Sequence, residues 1–388
     1  MIVSHLNLSD FRNYETLDVQ LHPGPNLFVG SNGQGKTNLV EALGYLSTLG
    51  SHRVSVDHAM IRQGQESAII RARLTHESKE MLAEVQLNRS SPNRAQINRS
   101  PIKIRELPRY FSSVLFAPED LAIVRGEPST RRKFMDELLV LRAPRLSGVL
   151  SDYERVLRQR NTLLKSARAS GLKETQLGTL EIWDDRLIAL GSELIAARTG
   201  LVAELAPEVS RAYTAIAGAD HAATLASQLS IFTTSATDDD TADEAAVRSD
   251  VVTAAAAAEG FTSALARLRR AELDRGVSLV GPHRDDLVLG LNGLGARGYA
   301  SHGESWSFAL ALKLASAAVL RREASAGDPV LILDDVFAEL DESRRGRLAE
   351  AVADYQQVLI TAAVLDDVPE SLAAHVVRIR SGMVVTDE

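Results

Sequence analysis

The spacing of hydrophobic residues divides the chain into strand-rich ends and a helical middle. Residues 2–8 alternate apolar and polar side chains, and residues 26–29 form a short apolar run that stops at a glycine. Both patterns predict strands. Residues 38–49 instead repeat apolar side chains at helical spacing. Residues 69–74 and 81–87 are predicted to be paired strands, and a turn that contains a proline leads from them to a third strand.

The pattern changes after about residue 130. Residues 138–165, 180–216 and 261–273 carry long helical patterns with few glycines. Residues 233–244 are rich in Thr, Ala and Asp, so we expect a solvated loop or a disordered segment there. The helical patterns are too short and too often interrupted for a long coiled coil.

Strand patterns return after residue 276. Residues 330–333 are a continuous apolar run, which is typical of a strand buried on both faces, and residues 358–361 resemble another strand. We therefore predict an α/β fold. One lobe is built from residues 1–130 and 276–388, and a mainly helical second lobe, residues 131–275, is inserted into it.

A candidate phosphate-binding loop follows the second predicted strand. Residues 30–37 read Gly-Ser-Asn-Gly-Gln-Gly-Lys-Thr, which matches G-x-x-x-x-G-K-[ST] in full between a strand and a helix. The glycines let backbone N–H groups turn inward toward phosphate oxygens, and the helix N-terminus adds positive potential. Lys36 is expected to reach the β- and γ-phosphates, and Thr37 offers a hydroxyl to Mg²⁺. The alternative is an ordinary glycine-rich turn with a chance Lys-Thr pair. The flanking elements favour an ATP site in the first lobe.

Two carboxylates end the predicted buried strand at residues 330–333. Asp334 is the candidate Mg²⁺ ligand, and Asp335 is placed to orient or deprotonate the attacking water. The alternative interpretation is a strand that ends in a capping Asp pair. The phosphate loop in the same chain favours the metal site.

A third motif precedes the apolar helix predicted at residues 308–320. Ser301, Gly303 and Glu304 form an S-x-G-E segment, and a Ser and a Gly at a helix N-terminus can bind an anion. The order of phosphate loop, S-x-G-E, carboxylate strand and then Glu339-Leu340-Asp341 resembles that of ABC-type ATPases. By this resemblance, Asp341 lies in their D-loop.

The chain also resembles the RecF family of ABC-type ATPases from end to end. The resemblance rests on these segments: residues 10–14 (DFRNY), 35–38 (GKTN), 116–121 (FAPEDL), 131–132 (RR), 281–286 (GPHRDD), 310–315 (LALKLA) and 333–337 (LDDVF). It implies the head architecture of chromosome-maintenance (SMC) and Rad50 proteins without their long coiled coils. It also implies binding of ATP and Mg²⁺ and a weak, DNA-stimulated ATPase.

The partners follow from the same resemblance. Members of this family bind duplex DNA near single-strand gaps, form a homodimer when ATP is bound, and hydrolyse ATP slowly. With RecR and RecO they direct the recombinase RecA to gaps and stalled forks. The function expected is therefore ATP-dependent DNA binding in recombinational repair and replication restart.

The resemblance also implies roles for individual residues. The signature residues Ser301, Gly303 and Glu304 would contact the nucleotide held by the partner subunit. Many relatives carry Gln at the position of Glu304, and ABC-type ATPases often carry a switch His where this chain has Thr361. The residues expected to line the ATP are Arg12, Gly30, Asn32, Gly33, Gln34, Gly35, Lys36, Thr37 and Asn38.

Charge directs the search for a DNA surface to one segment. The chain has 43 Lys+Arg against 51 Asp+Glu, so DNA binding requires a local basic patch. Residues 131–165 hold such a concentration of positive charge, and the DNA-contact candidates are Arg131, Arg132, Arg155 and Arg158. A solvated helix face with internal ion pairs is the alternative. His283 in the GPHRDD segment is interpreted as a structural or hydrogen-bonding residue rather than a metal ligand.

Composition and hydropathy narrow the remaining classes of site and of function. The chain has no cysteine, which excludes disulfides, thiolate zinc sites and a Cys nucleophile. Neither a signal-peptide pattern nor an apolar run of about 20 residues is present, so we expect a cytoplasmic protein without a membrane partner. Three rival functions remain: the ATPase subunit of a transporter, a chromosome-structural head, and a nucleotide-gated scaffold without useful hydrolysis. The long separation between Thr37 and Ser301 argues against the transporter subunit.

Overall fold

The computed structural model describes residues 1–77, 79–170, 178–233, 247–323 and 327–385. The chain divides into two compact units. The first unit comprises Met1–Ala122, Arg211–Asp220 and Ser301–Glu388, and the second comprises Ile123–Ser210 and His221–Ala300. Within the described residues, no helix has an apolar stretch long enough to cross a membrane.

An antiparallel sheet begins the first unit. Its strands follow the order β2-β1-β4-β5-β6-β7. They are β1 (Ile2–Phe11), β2 (Tyr14–Gln20), β4 (Ser67–His76), β5 (Lys79–Asn88), β6 (Arg94–Ile97) and β7 (Ser100–Ile102). Buried and less buried residues alternate along β4, which is the pattern of a strand with one face in the core. The predicted pairing of residues 69–74 with 81–87 is confirmed by the register of β4 against β5.

The second sheet of this unit is mostly parallel and carries the phosphate loop. Its order is β16-β15-β3-β14-β13-β8, with only β16 antiparallel to its neighbour. The strands are β3 (Gly24–Val29), β8 (Ser113–Phe116), β13 (Val330–Asp334), β14 (Gln357–Ala362), β15 (His375–Arg380) and β16 (Met383–Val385). Every residue of β13 and β14 is buried, as the continuous apolar runs predicted.

Three helices complete the part of the first unit that forms the site. They are α1 (Lys36–Thr48), α8 (His302–Glu323) and α9 (Glu342–Val352). Leu39, Val40, Leu43 and Leu46 of α1 are fully buried in a core that also contains residues of β1, β4, β5 and β13. Because this core holds α1 against the ends of the parallel strands, the loop before α1 lies at the carboxyl edge of the sheet.

The second unit is mainly helical. Its helices are α3 (Pro128–Arg142), α4 (Leu146–Ser170), α5 (Gly178–Ala217) and α6 (Ala254–Arg275), with the shorter α2 (Leu121–Arg125) and α7 (Ala296–Tyr299). The last residues of α5 and the first two of α2 group with the first unit. Residues of α4, α5 and α6 share an apolar core that includes Tyr153, Leu194 and Phe261.

The second unit also contains an antiparallel sheet that the sequence patterns did not predict. Its order is β10-β9-β11-β12, formed by β9 (Thr224–Gln228), β10 (Val247–Arg248), β11 (Asp286–Leu291) and β12 (Leu294–Gly295). The predicted lobes placed residues 276–300 with the ATP-binding lobe, and the structure differs there. Because β11 pairs with β9 along five residues, this segment belongs to the second unit. The predicted loop at residues 233–244 lies, apart from Thr233, outside the described residues.

Candidate nucleotide-binding site

The glycine-rich loop joins β3 to α1 in a conformation that needs its glycines. Gly33 and Gly35 have φ of 80° and 114°, values that side-chain-bearing residues rarely adopt. A Cβ on Gly30 would lie 2.2 Å from the carbonyl oxygen of Ile379 in the neighbouring strand β15. The tip of the loop, residues 31–33 and thus Asn32, is exposed. The loop therefore presents its backbone outward from a base that is closely packed.

Lys36 is the first residue of α1, and its side chain turns back into the loop. The residue is only 3% exposed, and its ammonium donates hydrogen bonds to the carbonyls of Gly30 at 2.8 Å and Ser31 at 3.4 Å. Within the described residues, the hydrogen-bond partners of this buried ammonium are neutral carbonyls and not carboxylates. This arrangement suits an anion that enters the loop.

The hairpin between β1 and β2 braces the loop from one side. The Tyr14 hydroxyl donates to the Gly35 carbonyl at 3.0 Å, and the Asn13 amide donates to the Gln34 carbonyl at 3.2 Å. The Asn38 amide donates in turn to Asn13 at 2.7 Å. The same hairpin that carries the DFRNY segment thus fixes the phosphate loop, which gives that segment a structural role.

Asp334 ends β13 beside the first turn of α1. Its Oδ1 accepts hydrogen bonds from the hydroxyls of Thr37 at 3.0 Å and Thr361 at 2.6 Å, and the residue is 3% exposed. Thr361 is the direct neighbour of Asp334 in the parallel register of β13 and β14. The threonine at the position of the usual switch His therefore holds the candidate metal ligand.

Hard oxygen donors surround the point where Mg²⁺ is expected. The Thr37 hydroxyl and the Asp334 carboxylate are of the type that Mg²⁺ binds, so the residues present fit this cation. Among the described residues, no group of three or more His, Asp or Glu side chains could hold a metal. The phosphate oxygens of a nucleotide would have to complete the coordination.

Asp335 follows in a left-handed conformation with φ 52°. Its N–H donates to the Thr361 hydroxyl at 2.9 Å, which fixes the turn. Partial burial raises the pKa of the Asp335 carboxyl, the adjacent Asp334 raises it further, and Lys36 acts in the opposite direction. A carboxylate with a raised pKa is a better proton acceptor, as a general base requires.

Arg12 lies at the tip of the β1–β2 hairpin and forms a two-pronged ion pair with Glu41. Its Nε donates to the buried carboxylate at 2.8 Å and its Nη2 donates to the other oxygen, while Nη1 donates to the Ala59 carbonyl at 3.0 Å. Arg12 lines an open cleft of about 470 Å³ together with Asn13, Asn38, Arg53, His58, Ala59, Ile61, Gln63 and Arg89. Asn13 in the lining of this cleft also contacts the phosphate loop, so the cleft and the loop are adjacent.

The S-x-G-E segment forms the start of α8 by reciprocal capping. The Ser301 hydroxyl accepts from the Glu304 N–H at 3.3 Å, and the Glu304 carboxylate accepts from the Ser301 N–H at 2.7 Å. Either Glu or Gln can close such a capping box, because both offer an acceptor oxygen. Glu304, at the position where many relatives carry Gln, therefore preserves the structure of the segment. Ser301 is exposed at the tip of the segment.

Asp341, the candidate D-loop residue, caps the start of α9 near the same segment. It accepts from the Arg344 N–H at 2.9 Å and pairs with the guanidinium at 2.6 Å, so its pKa is lowered. The Arg344 guanidinium also lies against Gly303, where a Cβ would be 3.0 Å from it. Arg344 thus links the candidate signature segment to the candidate D-loop residue.

The DNA-contact candidates separate into buried and exposed arginines. Arg131 is 3% exposed, and its guanidinium is engaged by the Asp286 carboxylate and by the carbonyls of Ile123 and Gly126. The structure therefore does not support the predicted DNA contact at Arg131, because its buried guanidinium is already engaged by the Asp286 carboxylate. Arg132 is partly buried and donates to the Asp285 carbonyl at 2.7 Å.

The other two candidates remain on the surface of α4. Arg155 and Arg158 are exposed, and among the described residues they form ion pairs only with Asp152 and Glu154 of the same helix, at 2.8 and 3.6 Å. Exposed pairs of this kind are weak. Both guanidinium groups are therefore accessible to an anionic partner.

His283 in the GPHRDD segment has a structural environment. Its Nδ1 shares a hydrogen bond of 2.7 Å with the Tyr153 hydroxyl, and burial lowers the pKa of the imidazole to about 3. In the same segment the buried Asp285 accepts from the Ser230 N–H and hydroxyl, each at 2.8 Å. These contacts agree with a hydrogen-bonding rather than a metal-binding role for His283.

Sequence reasoning missed three residues beside the candidate site. Glu41 is fully buried between Arg12 and Ser51, and its charge among apolar neighbours in α1 is a signal that could have revealed it. Ser51 and His52 lie in the loop after α1, where the sequence offers no motif. Only the return of that loop along α1 brings His52 near Asp334.

The chain is similar in sequence to known proteins along nearly its whole length. Residues 2–382 match the family model described as RecF/RecN/SMC N terminal domain. The chain is 66% identical to the DNA replication and repair protein RecF of Clavibacter michiganensis, covering 99% of this chain and 96% of the relative. It is 64% identical to the RecF protein of Leifsonia xyli, covering 99% of both.

Solved structures give the same result at the level of the fold. A structure described as the recombination mediator protein RecF-ATPrS in the RecFOR pathway superposes with a TM-score of 0.86 at 27% identity, over 99% of this chain and 97% of that chain. The Smc head domain of Pyrococcus furiosus superposes with a TM-score of 0.53 at 13% identity, which concerns the fold alone.

The fold and the site together define a mixed α/β ATPase head of the kind that RecF and SMC proteins share, as the sequence predicted. The chain belongs to the RecF family of DNA replication and repair proteins. The predicted resemblance is therefore confirmed.

Proposed function

We propose that this chain binds ATP with Mg²⁺ at the loop of residues 30–37 and hydrolyses it slowly. The observation that carries the proposal is the buried Lys36 ammonium inside the loop, beside the linked Thr37, Asp334 and Thr361. Solved RecF structures described as RecF-ATPrS and RecF-ATP support the choice of nucleotide. Binding of ATP to the purified protein, measured with and without Mg²⁺, tests it directly.

The chemistry follows from the positions of the side chains. Lys36 would neutralise phosphate charge, and Thr37 with Asp334 would hold Mg²⁺, which supplies electrostatic stabilisation to the phosphates during transfer. Asp335 would position or deprotonate the attacking water. Arg12 would lie beside the nucleoside, and backbone and side-chain groups of residues 30–38 would line the phosphates.

We also propose that ATP drives formation of a homodimer in which Ser301, Gly303 and Glu304 contact the nucleotide of the partner subunit. The exposed Ser301 at a capped helix N-terminus is a suitable anion contact. A two-fold dimer would bury two nucleotides at once. The dimer would bind duplex DNA near single-strand gaps and act with RecR and RecO in loading the recombinase. The solved relatives are described as mediators in the RecFOR pathway, which supports this proposal.

Ser301→Arg is expected to abolish ATP-dependent dimerisation, because a bulky cation replaces the small capping hydroxyl at the interface. ATP binding by the monomer should remain within about threefold of wild type, since losing the cap costs only about 1 kcal/mol. Ser301→Thr, which keeps the hydroxyl, is the matched control and should dimerise. Sedimentation with and without ATP measures the effect. A Ser301→Arg protein that dimerises like the Thr variant would remove the signature from the interface.

Arg155→Glu with Arg158→Glu is expected to weaken DNA binding. The slope of log affinity against log salt concentration should become shallower by the amount that corresponds to about two phosphate contacts. Lys103→Glu with Arg105→Glu is the control, because these exposed residues of the first unit give the same change in charge. Affinity for gapped duplex, measured with ATP over a range of salt concentrations, distinguishes the pairs. Equal losses in both variants would place the DNA surface elsewhere.

A further inference from the structure

His52 presents a buried ring nitrogen to the candidate metal ligand. Its Nε2 has no hydrogen-bond partner within the part of the chain that the structure describes, and it lies 3.7 Å from Oδ2 of Asp334. The two side chains are 14% and 4% exposed. A buried polar nitrogen without a partner costs free energy, and a histidine in such a position calls for an explanation.

The loop that carries His52 is held on both sides of the imidazole. The Ser51 hydroxyl donates to the buried Glu41 carboxylate and accepts from the N–H groups of Arg53 at 2.9 Å and Val54 at 3.1 Å. The Arg53 guanidinium donates to the Asn38 side chain at 2.8 Å. Because these contacts tie the loop to α1, the backbone at His52 is fixed relative to Asp334.

The two oxygens of Asp334 have different partners. Oδ1 accepts from the hydroxyls of Thr37 and Thr361, whereas Oδ2 faces the imidazole at a distance too long for a hydrogen bond. Thr361, at the position where ABC-type ATPases often carry a His, is occupied with Oδ1 and with the Asp335 N–H. The imidazole at this site therefore comes from the loop after α1.

We propose that His52 is a positioning residue for the divalent cation and acts through Asp334. When the cation binds, a short approach of Nε2 from its present 3.7 Å would let it hydrogen-bond Oδ2, so that the opposite side of the carboxylate stays directed to the cation beside Thr37. Groups that orient a metal-binding carboxylate typically change metal affinity 10- to 100-fold when they are replaced. The inference rests on the proposed ATP and Mg²⁺ site and assigns to it a residue from outside the phosphate-loop and carboxylate motifs.

Two substitutions distinguish the effect of the Nε2 atom from the effect of the volume of the imidazole ring. His52→Gln can place its amide nitrogen near the position of Nε2, whereas the shorter His52→Asn reaches only the position of Nδ1. A fluorescent ATP analogue bound to each full-length protein is titrated with MgCl₂. His52→Asn is expected to raise the Mg²⁺ concentration for half-maximal binding about 10-fold, and His52→Gln should stay within about threefold of wild type. Binding in EDTA should be unchanged in both, because the proposed effect passes through the cation.

A purely structural role would give a different result. Loss of binding in EDTA to the same extent as in Mg²⁺, or wild-type Mg²⁺ dependence in His52→Asn, would overturn the inference. His52→Phe keeps the ring volume without the nitrogen and serves as the deficient variant if His52→Asn does not fold. If the wild-type protein itself shows no Mg²⁺-dependent binding of the analogue, the proposed ATP site fails instead, so the two failures are distinguishable.

Discussion

Asp335→Asn is expected to bind ATP and dimerise while its hydrolysis falls by about 10²- to 10⁴-fold, the usual contribution of a general base. The group acts mainly in the transition state, so its loss should leave binding of the ground state nearly intact. Asn keeps the shape of the side chain and removes its capacity to take a proton. Because hydrolysis would return the dimer to its open state, the variant should hold its partner and DNA for longer.

The backbone makes Asn a conservative choice at this position. Asp335 has φ of 52°, and Asn is one of the few residues other than glycine that adopt this conformation readily. The hydrogen bond from its N–H to Thr361 is made by the main chain, so the substitution preserves it. A loss of turnover in this variant can therefore be assigned to the carboxylate.

Asp334→Asn is the paired variant, and it should lose function already at the step of ATP binding. Asp334 is buried and accepts two hydroxyl hydrogen bonds, so replacing a carboxylate oxygen there changes the candidate metal ligand itself. Mg²⁺-dependent ATP binding should fall, and the dimer should not form. The measurements are ATP turnover and the lifetime of the ATP dimer after an excess of ADP. Short-lived Asp335→Asn dimers alongside persistent Asp334→Asn dimers would mean that the two roles are exchanged.

The sequence predicted those parts of the structure that depend on local patterns. The phosphate loop has positive φ at Gly33 and Gly35, and the sequence places glycine at both positions, the second as a fixed position of the motif. The completely buried β13 and β14 were visible as continuous apolar runs. The roles assigned to Lys36 and Asp334 stay predictions, but the structure brings both residues to the same edge of the parallel sheet.

What the sequence could not predict depends on contacts between distant segments. A run of arginines in residues 131–165 resembles a basic surface, yet Arg131 and Arg160 are buried because acidic partners come from residues 112 to 155 positions away. The pairing of β9 with β11 likewise joins segments separated by a long helix, so residues 276–300 were placed with the wrong strands. His52 approaches Asp334 only because the loop after α1 turns back.

Arg160→Met is expected to destabilise the second unit by about 3–5 kcal/mol, the cost of breaking a buried ion pair from one side. Arg160 is completely buried. Its guanidinium donates to Asp184 of α5 at 2.7 Å, to Ser278 at 2.6 Å and to the equally buried Glu272 of α6. Methionine fills much of the volume but leaves the Glu272 carboxylate without its counter-charge.

A surface arginine on the same helix is the matched control. Arg155→Met removes an exposed guanidinium whose ion pair in the described part of the chain is with the exposed Asp152, so the free energy of unfolding should change by no more than about 0.5 kcal/mol. Urea unfolding measures both variants. Hydrogen exchange should assign the loss in Arg160→Met to α4, α5 and α6, because the guanidinium joins these three helices.

A double-mutant cycle with Glu272→Gln then isolates the charge itself. Gln keeps an acceptor oxygen for the Leu279 N–H, which donates to Glu272 at 2.8 Å, but it removes the buried negative charge. If the unpaired carboxylate causes the loss, Arg160→Met with Glu272→Gln should be more stable than the sum of the single changes by at least about 1 kcal/mol. Strictly additive losses would mean that Arg160 stabilises the unit through packing and its bonds to Asp184 and Ser278. In that case the Glu272 carboxylate would tolerate burial without its partner.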